Sequence, residues 1–362
     1  MSDVPRIDRT TTGDPARGPT RGRSRLRASA GFSPASPVRG EELVDVNAPQ
    51  APPEATADTP TLPGVGQDQL RVGLVGTGPW ATTVHAPGLA DHPGTVLSAV
   101  WSRRPEAAAA LAQAYDAVPT SALDELFEQV DALAFAVPPT VQAELATRAA
   151  EAGKHLILEK PIASDLAAAE RLADAVTSAG VASLVMLTLR FAQQTRDWLD
   201  GVTAAGAWRG GSVRWLSGAL LAGKYATSAW RQDPAGGALA DIGPHAFDLL
   251  DAALGPITNV LAAHRGPEDL WQLLLEHEGG ITSTATLSLR LPVQPTVVEY
   301  SVFGEHGFRT LGRTGTANEA YTALLDDFAA MVASGTTTHP CDVRRGVHLA
   351  RIVDQARAAL DR

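Results

Sequence analysis

The chain has 362 residues, 44% of them hydrophobic and 19% charged, enough for ordinary cores and about two domains by the usual length scale. Its net charge of −10 argues against a nucleic-acid-binding body, which would gather Lys and Arg on one face. One cysteine, Cys341, excludes an intrachain disulfide and a Cys-rich metal site and fits a cytoplasmic setting, while no apolar run reaches the length of a transmembrane helix.

Residues 1–68 are rich in Pro, Ala, Thr, Gly and Arg and carry no sustained apolar period, so they are expected to be disordered. Their arginines read as a solvated tail, and no apolar stretch follows them to make a secretion signal. The next segment, Arg71 to Ala81, reads as a buried strand, a glycine turn and a helix start. Gly76 suits the tight turn, Gly78 a close approach of backbone to phosphate, and Ala81 the contact of helix with sheet. Pro79 fits a first helical position, from which N–H groups face an anion.

Strands and helices then alternate. Strands are expected at Arg71 to Val75, Thr95 to Trp101, Asp131 to Val137, His155 to Leu158 and Ser183 to Thr188. Helices are expected to about Ala90, over Pro105 to Tyr115, Val141 to Ala152 and Asp165 to Ser178. That rhythm predicts an α/β fold whose first half is a doubly wound, parallel Rossmann sheet. The second half begins with a polar helix and a Gly-rich stretch from Gly210. A helix at Ala238 to Leu254 and strands at Asn259 to His264, Leu270 to Glu276, Ile281 to Leu289 and Thr296 to Phe303 follow, with closing helices at Glu319 to Ala333 and Val343 to Leu360. It predicts a C-terminal α+β part on a large, mostly antiparallel open sheet. The expected division is 1–68 extension, 69–189 dinucleotide-binding, and 190–362 substrate-binding and oligomerisation, with the last helix able to pack back on the first sheet.

Glu159-Lys160-Pro161 falls at the carboxyl end of a strand, where ligands of parallel sheets sit. An ammonium there can polarise a substrate oxygen. Asp241 and His245 are four apart; on one helix they would share a face, and the carboxylate could orient the imidazole as an acid/base unit. The same spacing is also met in a helix start with a structural histidine. At the end of the second strand, Trp101-Ser102-Arg103-Arg104 offers guanidiniums and no carboxylate, which favours NADP over NAD. His85 reads as packing, and the isolated His339 and Cys341 do not suggest a metal site.

Three motifs in this order, Val75-Gly76-Thr77-Gly78, Glu159-Lys160-Pro161 and Gly236 to His245, resemble the Gfo/Idh/MocA oxidoreductases from about residue 69 onward. The resemblance implies that Lys160 and His245 flank a reacting hydroxyl with Asp241 assisting, and that a cis peptide precedes Pro161. Cofactor contacts are then expected at Gly76, Thr77, Gly78, Trp80, Ala81, Ser102, Arg103, Arg104, Val137, Pro138, Glu159 and Lys160, and substrate contacts at Tyr225, Trp230 and Arg231. It further implies hydride transfer on a sugar, cyclitol or related polyol, no metal, no membrane or nucleic-acid partner, and a homo-dimer or homo-tetramer. Two alternatives stay open: a redox-neutral NAD-dependent glycosidase on the same fold, and a non-catalytic cofactor-binding sensor.

Overall fold

The computed structural model describes residues 69–361 except Lys224, Ala235 and Thr314; the expectation for residues 1–68 lies outside the described residues. β1 (Leu70–Val75) is buried from Val72 and stops at Gly76. Beyond Pro79 the helix opens into a π turn, Ala81–His85, before α1 (Ala86–Asp91). Pro87 accounts for that turn: it has no N–H to donate, and its ring would strike the carbonyl of Thr83 in a regular α-helix. The turn closes instead through the Ala86 N–H to the Ala81 carbonyl.

β2 (Thr95–Trp101), α2 (Pro105–Gln113), β3 (Val118–Thr120), α3 (Leu123–Gln129), β4 (Ala132–Phe135), α4 (Pro139–Glu151), β5 (His155–Leu158), α5 (Leu166–Ala179) and β6 (Ser183–Val185) complete the first half. Its six strands are all parallel, in the order β3-β2-β1-β4-β5-β6. The order reverses between β1 and β4, which opens the crevice where such sheets bind ligands.

After α6 (Thr188–Phe191) and α7 (Gln193–Ala205) the chain enters β7 (Trp208–Leu216), then α8 (Ala229–Gln232), α9 (Gly237–Asp241) and α10 (Gly243–Leu254). β8 (Ile257–Gly266), β9 (Leu270–His277), β10 (Thr282–Ser288), β11 (Val297–Gly304) and β12 (Gly307–Gly312) follow, and α11 (Ala317–Ser334) and α12 (Val343–Ala358) end the chain. The second sheet runs β12-β11-β7-β10-β9-β8, antiparallel at every pairing except β7 with β10. The α/β class with a parallel sheet and a mostly antiparallel one is therefore as expected.

Three local expectations change, and three short elements were not expected. The Gly-rich stretch at Gly210 is the inside of β7, a central strand, because pairing on both sides overrides the poor strand propensity of Gly210 and Gly211. The helix expected over Ala238 to Leu254 is two helices that meet at Ile242. The strand expected to reach Thr188 ends at Val185, and Thr188–Phe191 is a helical turn. β3 and β12 carry too little apolar pattern over their short lengths to stand out in the sequence, whereas α3 has its signal in Leu123, Leu126 and Phe127.

Candidate active site

The glycine turn lies at the mouth of the crevice. Gly76 has φ +119°, and a Cβ there would lie 2.5 Å from the carbonyl oxygen of Ala136 at the end of β4. Only glycine meets both demands. At Gly78 the space around a Cβ is open, which leaves room for a phosphate at the start of the following helix. Ala81 is fully buried against the sheet. From the end of β2, Arg104 Nη2 donates to Thr77 Oγ1 at 3.5 Å, Ser102 Oγ donates to the Arg104 carbonyl at 2.8 Å, and Arg103 is exposed. The Val137 side chain and the Ala136 carbonyl border the turn from the β4 side.

Glu159, Lys160 and Pro161 follow β5, and the Lys160–Pro161 peptide is cis. This loop is held by Gln142, a buried amide on α4. Its Oε1 accepts from the Glu159 N–H at 2.8 Å, and its Nε2 donates to the carbonyls of Glu159, Pro161 and Ile162 at 2.6, 3.3 and 3.2 Å. Sequence reading passed over Gln142. The available signal was a polar residue on the face of α4 otherwise buried through Pro139, Ala143, Ala146 and Ala150.

The Glu159 side chain takes two donors on one oxygen: Trp80 Nε1 at 2.5 Å and His85 Nε2 at 2.9 Å. His85 is fully buried, and its Nδ1 lies 3.1 Å from the Tyr321 hydroxyl on α11. Burial, reinforced by the Glu159 charge, pushes the Tyr321 hydroxyl well above its usual range. It therefore stays protonated, and because a carboxylate oxygen only accepts, Nε2 of His85 is the donor to Glu159 while Nδ1 faces the hydroxyl. A chain of hydrogen bonds thus runs from α11 to the residue two positions past Gly78.

Lys160 and Asp241 meet directly. Lys160 Nζ donates to Asp241 Oδ1 at 2.6 Å and to the Asp241 carbonyl at 2.7 Å. Arg231 Nε donates to the other carboxylate oxygen, Oδ2, at 2.8 Å. Burial alone would raise the Asp241 carboxyl, but the Lys160 and Arg231 charges and their hydrogen bonds bring it down to about 2. His245 lies nearby on α10, with its ring 5.7 Å from that of Trp215 and 28° from coplanar. Burial, then the Lys160 charge, hold its imidazole well below the usual range, so it is neutral near pH 7. Among the described residues its Nδ1 has no hydrogen-bond partner although it is buried, while Tyr300 donates to its backbone carbonyl at 3.3 Å.

The expected orientation of His245 by Asp241 is corrected here. The break at Ile242 sets the two residues on successive helices, and both Asp241 oxygens are taken by Lys160 and Arg231. Tyr225 and Trp230 flank the Arg231 guanidinium, with ring centroids 4.6 and 4.3 Å from its central carbon. Beside this cluster is a cavity of about 420 Å³ with Lys160, Pro161, Trp230, Pro244, Leu349 and Val353 in its walls. That is the size range of small-molecule sites. Among the described residues no group of three or more His, Cys, Asp or Glu could hold a metal.

The model described as "Oxidoreductase family, NAD-binding Rossmann fold" matches residues 70–187, and that of the "GFO/IDH/MocA C-terminal domain" matches residues 204–309. A dTDP-3,4-didehydro-2,6-dideoxy-alpha-D-glucose 3-reductase of Streptomyces violaceoruber is 33% identical over 201 residues, 54% of this chain and 57% of that protein. The dehydrogenase FPY6 of Fusarium mangiferae is 31% identical over 234 residues, 55% of this chain and 65% of that protein. The chain spans less than two thirds of the length of both. Among solved structures, GenD2 from gentamicin A biosynthesis, in complex with NAD, has a TM-score of 0.71 at 19% identity, covering 83% of this chain and 97% of that one. The 3-ketoreductase KijD10 from Actinomadura kijaniata, in complex with NADP, has a TM-score of 0.64 at 22% identity, covering 81% and 98%. At such identities these two share the fold with this chain.

Proposed function

The chain belongs to the Gfo/Idh/MocA oxidoreductase family, and from that premise we propose that it is an NAD(P)-dependent oxidoreductase acting between a secondary alcohol and a ketone of a sugar, cyclitol or related polyol. Relatives named as a sugar 3-reductase and a dehydrogenase support the substrate class and the reaction. The observation that carries the reading is the buried cluster of Lys160, Asp241 and His245 at the carboxyl end of the parallel sheet.

The residues present fit a dinucleotide. Gly76, Thr77, Gly78 and Ala81 would hold its pyrophosphate, Trp80, Val137, Pro138 and Glu159 its nicotinamide side. Ser102, Arg103 and Arg104 would hold a 2′-phosphate, which favours NADP over NAD. When bound, the nicotinamide supplies the hydride donor or acceptor.

The chain's own residues supply position and proton transfer. An ammonium has three N–H bonds; Asp241 takes two from Lys160, and the third is left for the substrate oxygen. His245, neutral in its buried setting, has a lone pair to take the hydroxyl proton as the alcohol is oxidised, and returns it in the other direction. Lys160→Ala and His245→Ala should each lower kcat by about 10²-fold or more while cofactor affinity holds. The test follows reduced-nicotinamide absorbance with inositols, sugars and their keto forms. Full turnover by both variants would overturn these roles, and product without net absorbance change would favour the redox-neutral alternative.

A further inference from the structure

Arg231 was expected to face substrate, yet two of its three guanidinium nitrogens are engaged by the protein. Nε donates to Asp241 Oδ2 at 2.8 Å and Nη1 to Ser228 Oγ at 3.3 Å, and the central carbon lies over the rings of Trp230 and Tyr225 at 4.3 and 4.6 Å. Its side chain is 19% exposed. The neighbouring residue, Trp230, lines the cavity that Lys160 also lines. α8 therefore presents Ala229 and Trp230 to the cavity and Arg231 to the ionic cluster.

Across the carboxylate, Lys160 holds Oδ1 and the backbone carbonyl of Asp241. With one cation on each oxygen, the carboxylate cannot turn without releasing one of them. The groups acting on Asp241 and His245 are Lys160 from the end of β5, Arg231 from α8, and Arg313 beyond β12. Lys160, Asp241 and Arg231 sum to one positive charge beside a neutral imidazole; without Arg231 the sum is zero. A net cation is what a substrate oxygen gaining negative charge requires.

We infer that Arg231 is a positioning residue of the reaction: it clamps Asp241 so that Lys160 is aimed at the substrate oxygen, and it makes the buried cluster net cationic. This rests on the reading of Lys160 and His245 given above. A lysine at 231 would carry the charge but not the planar fork that reaches Asp241 and Ser228 together.

Arg231→Met should lower kcat by about 10²-fold with KM for the cofactor unchanged. Arg231→Lys should restore the charge but leave kcat well below that of the unaltered protein. An independent readout exists because the chain has three lysines, Lys154, Lys160 and Lys224. In cofactor-free protein labelled with 13C-lysine, Arg231→Met should displace the Lys160 side-chain signal and leave that of Lys154 in place. An unmoved Lys160 signal with unchanged kcat would overturn the inference, as would Arg231→Lys with full kcat. If the unaltered protein transfers no hydride, the functional reading fails, while the lysine signal still decides the role of Arg231.

Discussion

Asp241 is a nearly buried carboxylate whose oxygens are divided between an ammonium and a guanidinium, and its energetics follow from that division. Its folded value of about 2 lies below the ordinary 3.8. A depressed carboxyl stabilises the fold fully above the ordinary value, and the stabilisation is lost as pH falls through the folded one. The window is therefore about pH 4 down to pH 2, and the amount is about 2 kcal/mol. Asp241→Asn removes that term and leaves two buried cations without their anion, at a cost of about 3 kcal/mol near neutrality. Urea midpoints of the two proteins should lie far apart at pH 6 and approach each other below pH 4. A gap independent of pH would mean that the carboxylate is not held ionised by its partners. Residue identities were legible here, but partners were not. The spacing of Asp241 and His245 suggested a pair, whereas the break at Ile242 and the arrival of Arg231 from α8 are tertiary facts that no local period encodes.

At the scale of elements, α1 and α11 show how a helix distant in sequence fixes the cofactor turn. A Cβ at Gly88 would lie 2.4 Å from Cδ1 of Tyr321, so α1 can approach α11 this closely only with glycine there. That approach seats the Tyr321 hydroxyl on His85, which in turn donates to Glu159. Gly88→Ala should cost about 1–3 kcal/mol through overpacking and, by moving Tyr321, raise KM for the cofactor more than it lowers kcat. Tyr321→Phe keeps the ring, removes the hydroxyl and should cost about 1 kcal/mol with the same bias toward KM. Thermal melts and initial rates of both variants check this; unchanged cofactor KM in both would mean that the chain of hydrogen bonds does not bear on the turn. β1, β2, β5 and their helices were readable because short, mostly apolar runs, Val72 to Val75, Val96 to Trp101 and Leu156 to Leu158, each have a Gly or Pro close by and leave few alternatives. The π turn was signalled only by Pro87, and β7 was masked by its glycines.

At the scale of the molecule, the parallel sheet is covered by segments from the far end of the sequence. The Cys341 carbonyl accepts from the Val185 N–H at 2.8 Å and the Val343 N–H donates to Ser183 Oγ at 3.1 Å, so the chain ahead of α12 protects the open edge at β6. Arg351 pairs with Glu170 on α5 at 3.2 Å, and Asp326 on α11 pairs with His92 at 3.1 Å. On its other side α12 engages α10: Arg345 holds Asp248 and Asp251 at 2.6 Å each, and His348 holds Asp251 at 2.7 Å. Leu324, Leu325 and Phe328 of α11 are fully buried, which leaves apolar surface uncovered if α11 is absent. Residues 69–189 expressed alone should therefore lack a cooperative urea transition and bind a hydrophobic dye, whereas 69–362 should unfold in one step reported equally by near-UV and far-UV dichroism. A fragment 69–189 that unfolds cooperatively near the midpoint of the longer chain would show the sheet to be self-sufficient. The expected outcome would bear on catalysis as well as stability, because α11 contributes Tyr321 to the Glu159 side of the site and α12 contributes Leu349 and Val353 to the cavity wall beside Lys160.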